Sequence, residues 1–406
     1  MISDVYFPRI NGVSTSIETF RDSLHAQGVD TTLLAPAYSP AEEAGASTPG
    51  LVRLPAWRVP FDPEDRLMHR TALAQWLAAR QPGEFDLVHV QTPFAAHYAG
   101  LRLARRLGIP ALATYHTYFE EYLHHYVPLL PRAVSRALAR RFSRGQCNAL
   151  DALVVPSQAM AQALRDYGVT CPQHVIPTGV READFTPGDG AGFRLRHQIE
   201  PTRPLLLFVG RVAHEKNIGF LLDVVEHLRR QRPDVLLLIT GEGPAQDALR
   251  DDCERRALSH NVRFMGYLDR QQALADCYRA ADLFVFASRT ETQGLVLLEA
   301  MAQARPVLAL SAMGTRDILE GNPGAVIAED APAAFAQRAA ALLAQPAELA
   351  RLGEQACAHA RNWSAAQSAR RLGDVYAGLC RGAAPGLPTP LAQAEGAPTW
   401  QETPVA

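Results

Sequence analysis

The feature that most constrains the fold is a series of short, almost continuous apolar runs separated by longer stretches of helical period. In the first half these runs are Thr31–Ala35, Leu87–Val90, Ala111–Thr114 and Leu153–Val155. In the second half they are Leu205–Val209, Val235–Thr240, Val262–Met265, Leu283–Ala287 and Val307–Leu310. A strand that faces solvent on one side alternates polar and apolar residues, whereas an unbroken apolar strand is buried on both faces. Strands of this kind, alternating with helices, predict an α/β chain of parallel sheets covered on both sides. At 406 residues the chain has room for two to three domains of about 150 residues. The two sets of runs part near Ile176-Pro177-Thr178-Gly179, followed by the loop-like Pro187-Gly188-Asp189-Gly190. This predicts two doubly wound, Rossmann-like domains, residues 1–178 and 179–362, facing across a cleft. Residues 382–406 are rich in Pro, Ala and Gly without periodicity and are expected to be disordered. At the other end only Met1-Ile2-Ser3 precede Asp4 and the loop signals Pro8, Asn11 and Gly12. The first strand is therefore expected to be very short, or its natural start to lie upstream.

Composition excludes several classes. Lys plus Arg (40) nearly balance Asp plus Glu (42), a net charge of −2, so the basic excess of a nucleic-acid binder is missing. No apolar run approaches the ~18 residues of a membrane span, and no secretory signal opens the chain. The six cysteines are far apart and form no Cys-x-x-Cys pair, which points to reduced thiols in a cytosolic protein. Lysine occurs once, at Lys216, so 39 of the 40 basic residues are arginine. A single retained lysine suggests a position that needs a compact ammonium rather than a planar fork.

Ligands of open α/β sheets bind beyond the carboxyl ends of the strands. Four polar clusters fall there: His116; Gly210-Arg211 with Glu215 and Lys216; Gly241-Glu242-Gly243; and Arg289 through Gly294. The stretch Gly294 to Met301 reads as a buried helix with its N-terminus at Thr292–Gly294. Free N–H groups and the helix dipole attract an anion at that end, and Arg211 and Lys216 would supply cations opposite it, suited to a diphosphate. Glu291 and Glu299 stand eight positions apart, about 12 Å along a helix, so they could hold hydroxyls at the two ends of a sugar nucleotide. The competing reading of Glu299 is a carboxylate paired with an arginine. Dinucleotide-binding, P-loop and nucleophile-elbow fingerprints are absent from the sequence. His116, His124 and His125 cluster without metal-ligand spacing, so no zinc site is expected.

Residues 131–145 carry Arg132, Arg136, Arg140, Arg141 and Arg144 and no acid, with Val134, Leu138 and Phe142 recurring on another face. Such a basic amphipathic helix can lie on an anionic membrane, or simply pack its apolar face on its own domain.

Asp4 through Ser14, Thr114-Tyr115-His116-Thr117, Gly210-Arg211…Glu215-Lys216-Asn217, Gly241-Glu242-Gly243-Pro244, Gly266-Tyr267-Leu268 and Glu291…Glu299-Ala300-Met301-Ala302 together resemble retaining glycosyltransferases of family 4, of the GT-B fold. The resemblance runs from about residue 4 to about 380. It implies that Lys216 and Arg211 neutralise the leaving nucleotide phosphate while Gly12 lets the first-domain loop close over it. It further implies that Glu291 and His116 meet the donor sugar, Glu299 the ribose, and Gly210 and the Gly266-Tyr267-Leu268 segment the phosphate and base region. Thr292, Gln293, Gly294 and Leu295 would contribute the N–H groups for sugar and phosphates. No metal or cofactor is implied; the donor, a UDP- or GDP-hexose, is a substrate. The leaving phosphate would deprotonate the acceptor on the same sugar face. Residues 363–381 are expected to form a helix that crosses back to the first domain.

Within the family, His116 through Tyr122 together with Glu291-Thr292-Gln293-Gly294 look most like the diacylglycerol glucosyltransferases, with phosphatidylinositol mannosyltransferases next. The expected acceptor is thus a membrane lipid, with Arg132, Arg136, Arg140 and Arg144 touching the membrane and the protein cytoplasmic or peripheral on the inner membrane face. A soluble transferase of polysaccharide synthesis, or a non-catalytic sugar-nucleotide binder, are the rival readings. Ala304, and Met313 beside Gly314, stand where relatives frequently carry glycine.

Overall fold

A computed structural model describes residues 1–43, 49–59, 62–117, 132–270 and 272–382. From residue 383 the expected disordered tail lies outside the described residues, as do His124 and His125.

The N-terminal half contains strands β1 (Leu33–Pro36), β2 (Leu51–Leu54), the hairpin β3 (Ala56–Val59) and β4 (Asp62–Met68), then β5 (Val88–Val90), β6 (Ala111–Thr114), β7 (Ala152–Val155) and β8 (Gln173–Val175). β5 to β8 form one parallel run in sequence order, and β1 pairs in parallel with β2. A single residue joins the two pieces. Ile2, 2% exposed, bridges Leu34 on one side and Val90 on the other. Its N–H donates to the His89 carbonyl (3.0 Å), its carbonyl accepts from Gln91 N–H (2.9 Å), and Ser3 N–H donates to Leu34 (3.0 Å). The expected short first strand is thus one residue long, yet it is paired on both sides, which sets Asp4 and the Gly12 loop beyond the middle of the sheet.

The C-terminal half holds β9 (Leu205–Val209), β10 (Leu236–Thr240), β11 (Val262–Gly266), β12 (Leu283–Phe286), β13 (Val307–Ala309) and β14 (Ala325–Ile327). They form one parallel sheet in the order β11-β10-β9-β12-β13-β14. Every residue of β9, β10 and β12 is buried, as their unbroken apolar character requires. The order reverses between β9 and β12, and the crevice at such a reversal is where doubly wound sheets bind ligands.

The two halves are linked by two chain crossings that lie side by side. Val180 donates to the Trp363 carbonyl (2.7 Å) and Ala365 donates to Val180 (3.0 Å). The helix Ala365–Cys380 that follows packs Ala369, Leu372 and Tyr376 against Phe20, Leu24 and Val154 of the N-terminal half.

Ala304 and Met313, the two positions where glycine is frequent in relatives, hold left-handed backbones, φ +52° and +48°. A side chain there strains the chain by roughly 1–2 kcal/mol, against the roughly 0.5–1 kcal/mol of extra entropy that glycine loses on folding. Met313 recovers part of the difference by packing on the N-terminal core. Ala304→Gly is therefore expected to stabilise the protein by about 0.5–1 kcal/mol, read as a Tm rise of roughly 2 °C in thermal unfolding.

Candidate functional site

The site is built on the ends of β9 and β12. Gly210 and Arg211 follow β9 directly, and Arg211 is half-buried. The turn after β10 lies so close that a Cβ on Gly241, φ +122°, would sit 2.1 Å from the Gly210 carbonyl. Gly241 N–H donates to Gly266 at the end of β11 (2.8 Å), so three strand ends are tied together through glycines. Gly241 therefore serves close backbone packing.

Lys216 closes a short 3-10 turn, His214–Lys216. Three contacts lock that turn to the end of β12: Asn217 Nδ2 donates to the Ala287 carbonyl (3.0 Å), and the Glu215 carbonyl accepts from Ser288 Oγ (3.4 Å) and Thr290 Oγ1 (3.3 Å). Lys216 Nζ consequently meets Glu291 Oε1 at 2.5 Å, both side chains mostly shielded. The one lysine of the sequence is thus placed in the crevice and held by a carboxylate. An anion entering the crevice competes with Glu291 for it.

Beyond Glu291 the chain turns through Gly294, φ +94°, into the helix Leu295–Ala302, whose N-cap makes no side-chain hydrogen bond to its first turn. The intervening residues are braced in three directions. Gly314 N–H donates to the Glu291 carbonyl (2.9 Å). Thr292 Oγ1 donates to the His116 carbonyl across the cleft (3.1 Å). Gln293 accepts from Thr178 N–H (2.8 Å) and donates to the Thr178 carbonyl (2.6 Å), while the Thr178 hydroxyl meets Ser16 (2.7 Å). The side chain of Gln293 is therefore committed to the interdomain linker, while its backbone N–H, the group expected on the donor, remains at the helix start.

Glu299, expected on a ribose, has both oxygens engaged. Oε1 pairs with Arg270, and Oε2 accepts from Tyr278 Oη at 2.9 Å. This is the arginine pairing named above as the competing reading. Glu299 beside it holds the Arg270 guanidinium above its usual pKa, and burial pushes the Tyr278 phenol well above the usual tyrosine value. Neither partner was singled out in the sequence, where only the proximity of Arg270 to Gly266-Tyr267-Leu268 hints at it. Tyr267 and Leu268, just before Arg270 in the chain, are half-buried.

On the facing side, His116 follows β6. Burial lowers its pKa to about 4, so the ring is uncharged at neutral pH. Its Nε2 lies 3.0 Å from Gln91 Oε1. Gly12 begins the helix Gly12–His25, capped by Asn11 Oδ1 on Ser14 N–H (2.8 Å), with open space where a Cβ would point. Among the described residues no three His, Cys, Asp or Glu side chains gather at metal-binding spacing.

The helix Arg132–Cys147 departs from the simple amphipathic picture; the side chain of Arg132 lies outside the described residues. It buries small residues, Ser135, Ala139 and Ser143, with Ser143 Oγ 2.9 Å from Tyr115 Oη. Val134, Leu138 and Phe142 face outward, 45%, 48% and 38% exposed. At ~100° per residue, Arg136, Arg140 and Arg144 lie on the flank away from that stripe, whereas Arg141 lies beside it. Arg140 stacks on Tyr167 (5.2 Å), and Arg144 runs alongside Gly168. No helix among the described residues is long and apolar enough to cross a membrane.

Two Rossmann-like domains that meet over such a crevice have the architecture of GT-B glycosyltransferases. Comparison with known proteins agrees. Residues 10–184 match Glycosyltransferase Family 4 and residues 193–359 match Glycosyl transferases group 1. The chain is 30% identical over 315 residues to the alpha-monoglucosyldiacylglycerol synthase of Streptococcus pneumoniae, spanning 76% of this chain and 70% of that enzyme. It is 25% identical over 316 residues to the synthase of the same name from Acholeplasma laidlawii, spanning 76% and 79%. The solved sucrose-phosphate synthase of Thermosynechococcus elongatus shares the fold, with a TM-score of 0.77 at 20% identity over 94% of this chain and 99% of that one. The chain belongs to glycosyltransferase family 4 and is a glycosyltransferase.

Proposed function

We propose that this protein transfers a hexose, with retention and without a metal, from a nucleoside diphosphate sugar to a membrane lipid such as diacylglycerol. The observation that carries the reading is the Thr292–His116 contact. It holds the neutral histidine of one domain against the start of the helix Leu295–Ala302, beside the Lys216–Glu291 pair of the other. In this reading the diphosphate takes Lys216 from Glu291, with Arg211 and the helix N–H groups sharing its charge. Glu291, released, accepts from sugar hydroxyls. As the glycosidic C–O bond to phosphate breaks, the departing phosphate oxygen takes the proton of the acceptor hydroxyl, which bonds to the same face of the anomeric carbon. Stabilising the charge on that phosphate is the main catalytic contribution. Each oxygen of Glu299 keeps a second lone pair beyond its bond to Arg270 or Tyr278, and these accept from the ribose hydroxyls.

The lipid acceptor is supported by the names of the two bacterial synthases and by the outward apolar stripe Val134-Leu138-Phe142. Pelleting with vesicles of phosphatidylglycerol and of phosphatidylcholine tests it, together with transfer assays over UDP- and GDP-hexoses and NMR of the product anomer. Binding is expected to favour the anionic vesicles and to fall about tenfold in Leu138→Asp, the loss of one inserted leucine. Indifference to both lipid charge and Leu138, with transfer to a soluble sugar, would instead support a polysaccharide-building enzyme. Nucleotide-sugar binding without turnover would support a non-catalytic binder.

A further inference from the structure

β5 and β6 are parallel neighbours, with Val88 opposite Ala111, His89 opposite Leu112 and Val90 opposite Ala113. Side chains alternate along a strand, so His89 and Gln91 share one face of β5 and its extension, as Thr114 and His116 share one face of β6. The structure joins them in two successive rungs. His89 Nε2 meets Thr114 Oγ1 at 2.7 Å, and Gln91 Oε1 meets His116 Nε2 at 3.0 Å. The first rung is closed from behind by Tyr376 of the crossing helix, whose hydroxyl lies 2.6 Å from His89 Nδ1. On the far side of the second rung, His116 Nδ1 has no hydrogen-bond partner among the described residues. Gln91 itself is fixed: it is 4% exposed, and its N–H donates to Ile2, the one-residue first strand.

A neutral imidazole donates from one nitrogen and accepts at the other, and the partner of the first decides which is which. We propose that Gln91 is a positioning residue for His116: its carbonyl takes the Nε2 proton and leaves Nδ1 as an acceptor for a donor-sugar hydroxyl. The inference rests on the reading of His116 given above and adds the polarity of its contact. Nδ1 so set recognises a group that brings its own proton, a hydroxyl, and discriminates against a sugar lacking one there. A charged ring would carry a proton on both nitrogens and reverse that preference. Burial, by keeping the ring uncharged, works in the same direction as Gln91.

Among the described residues, the other titratable groups packed about this ring are His89 on the strand that Gln91 extends, His97, Tyr115 and Cys147 lining the same cavity as His116, Asp4 through its bonds to Thr92 and Ala96, and Glu291 next to Thr292. Burial lowers both histidines and raises the thiol to about 12. Asp4, raised by burial to about 6, titrates in the working range. It does so in variant and wild type alike, so the difference between their profiles carries the result.

Gln91→Glu places a carboxylate on Nε2 and is expected to raise the ring's pKa by about 1–3 units. The charged ring then forms as pH falls through the raised value. Transfer by the variant is expected to drop about tenfold more than wild type between pH 8 and pH 5.5, and to recover at pH 8. Gln91→Met, similar in length but without the carbonyl, is expected to lower kcat at every pH with no new acid limb. In the wild-type protein, ring nitrogen-15 NMR is expected to show His116 protonated at Nε2; protonation at Nδ1 overturns the proposal without any variant. Profiles of Gln91→Glu and wild type that superimpose, while His116→Ala abolishes transfer, also overturn it. Unchanged transfer in His116→Ala would remove the underlying reading instead.

Discussion

Lys216→Met is expected to lower kcat about a thousandfold and leave the fold standing. The variant removes the compact cation that the β9–β12 crevice holds and keeps the aliphatic stem. Removing one preorganised group that meets developing charge typically costs 10²–10³ in rate, about 2.7–4 kcal/mol. The cost to stability is smaller, about 1–3 kcal/mol, because Glu291 loses its hydrogen-bonding partner in a mostly shielded place. Lys216→Arg is not a conservative test: a planar fork cannot occupy the position of an ammonium 2.5 Å from a single carboxylate oxygen, and a large loss is expected there too. Single-turnover transfer, with calorimetric titration of the nucleoside diphosphate, separates the chemical step from binding. Glu291→Gln should not add its full effect in the double variant, since the two residues share one contact. Undiminished kcat in Lys216→Met would refute the phosphate role.

How much of this could be read from the sequence depends on where each contact is made. Every apolar run named above became a strand, because strands buried on both faces must be apolar throughout, as β9 and β10 are. The hairpin β3–β4, whose strands carry Arg and acidic residues, was not visible, and neither were β2, β8 and β14. Strands β2, β8 and β14 are three or four residues long, lie at sheet edges and are only partly buried, so neither an unbroken run nor a clean alternation marks them. Lys216 and Glu291 were legible because strand ends and a solitary lysine single them out, and the fold brings them together. The contacts of Gln293 with Thr178, of Glu299 with Arg270, and of His116 with Gln91 were not, because each partner comes from another segment and carries no local pattern. The helix Arg132–Cys147 shows a subtler limit. Its most periodic apolar residues face outward, while Ser135, Ala139 and Ser143 pack inward, since close approach to the sheet selects small side chains over large apolar ones.

A single added methyl should disturb the whole site. In Gly314→Ala the new Cβ would stand 2.0 Å from the Thr292 carbonyl oxygen and 2.7 Å from Gln293 N, all backbone atoms that no side-chain rotation can clear. Ordinary contact begins near 3.4 Å, so the segment Glu291–Gln293 must retreat by roughly 1 Å. That segment carries Glu291 on Lys216, Thr292 on the His116 carbonyl and Gln293 on both backbone groups of Thr178. No retreat preserves all three, because they pull toward different elements. Displacement of about 1 Å at a positioned site can cost about 10² in rate, and overpacking costs about 1–3 kcal/mol of stability. Gly314→Ala is therefore expected to lose about a hundredfold in kcat/KM, with a measurable fall in Tm. Gly373→Ala is the control: it lies inside the helix Ala365–Cys380 with nothing within 4 Å of its Cβ, and is expected to gain about 0.5–1 kcal/mol. If Gly314→Ala unfolds early but transfers at the wild-type rate when cold, the brace supports the fold and not the donor. If both readouts match wild type, the segment is loose and the contact between Thr292 and His116 does not organise the site.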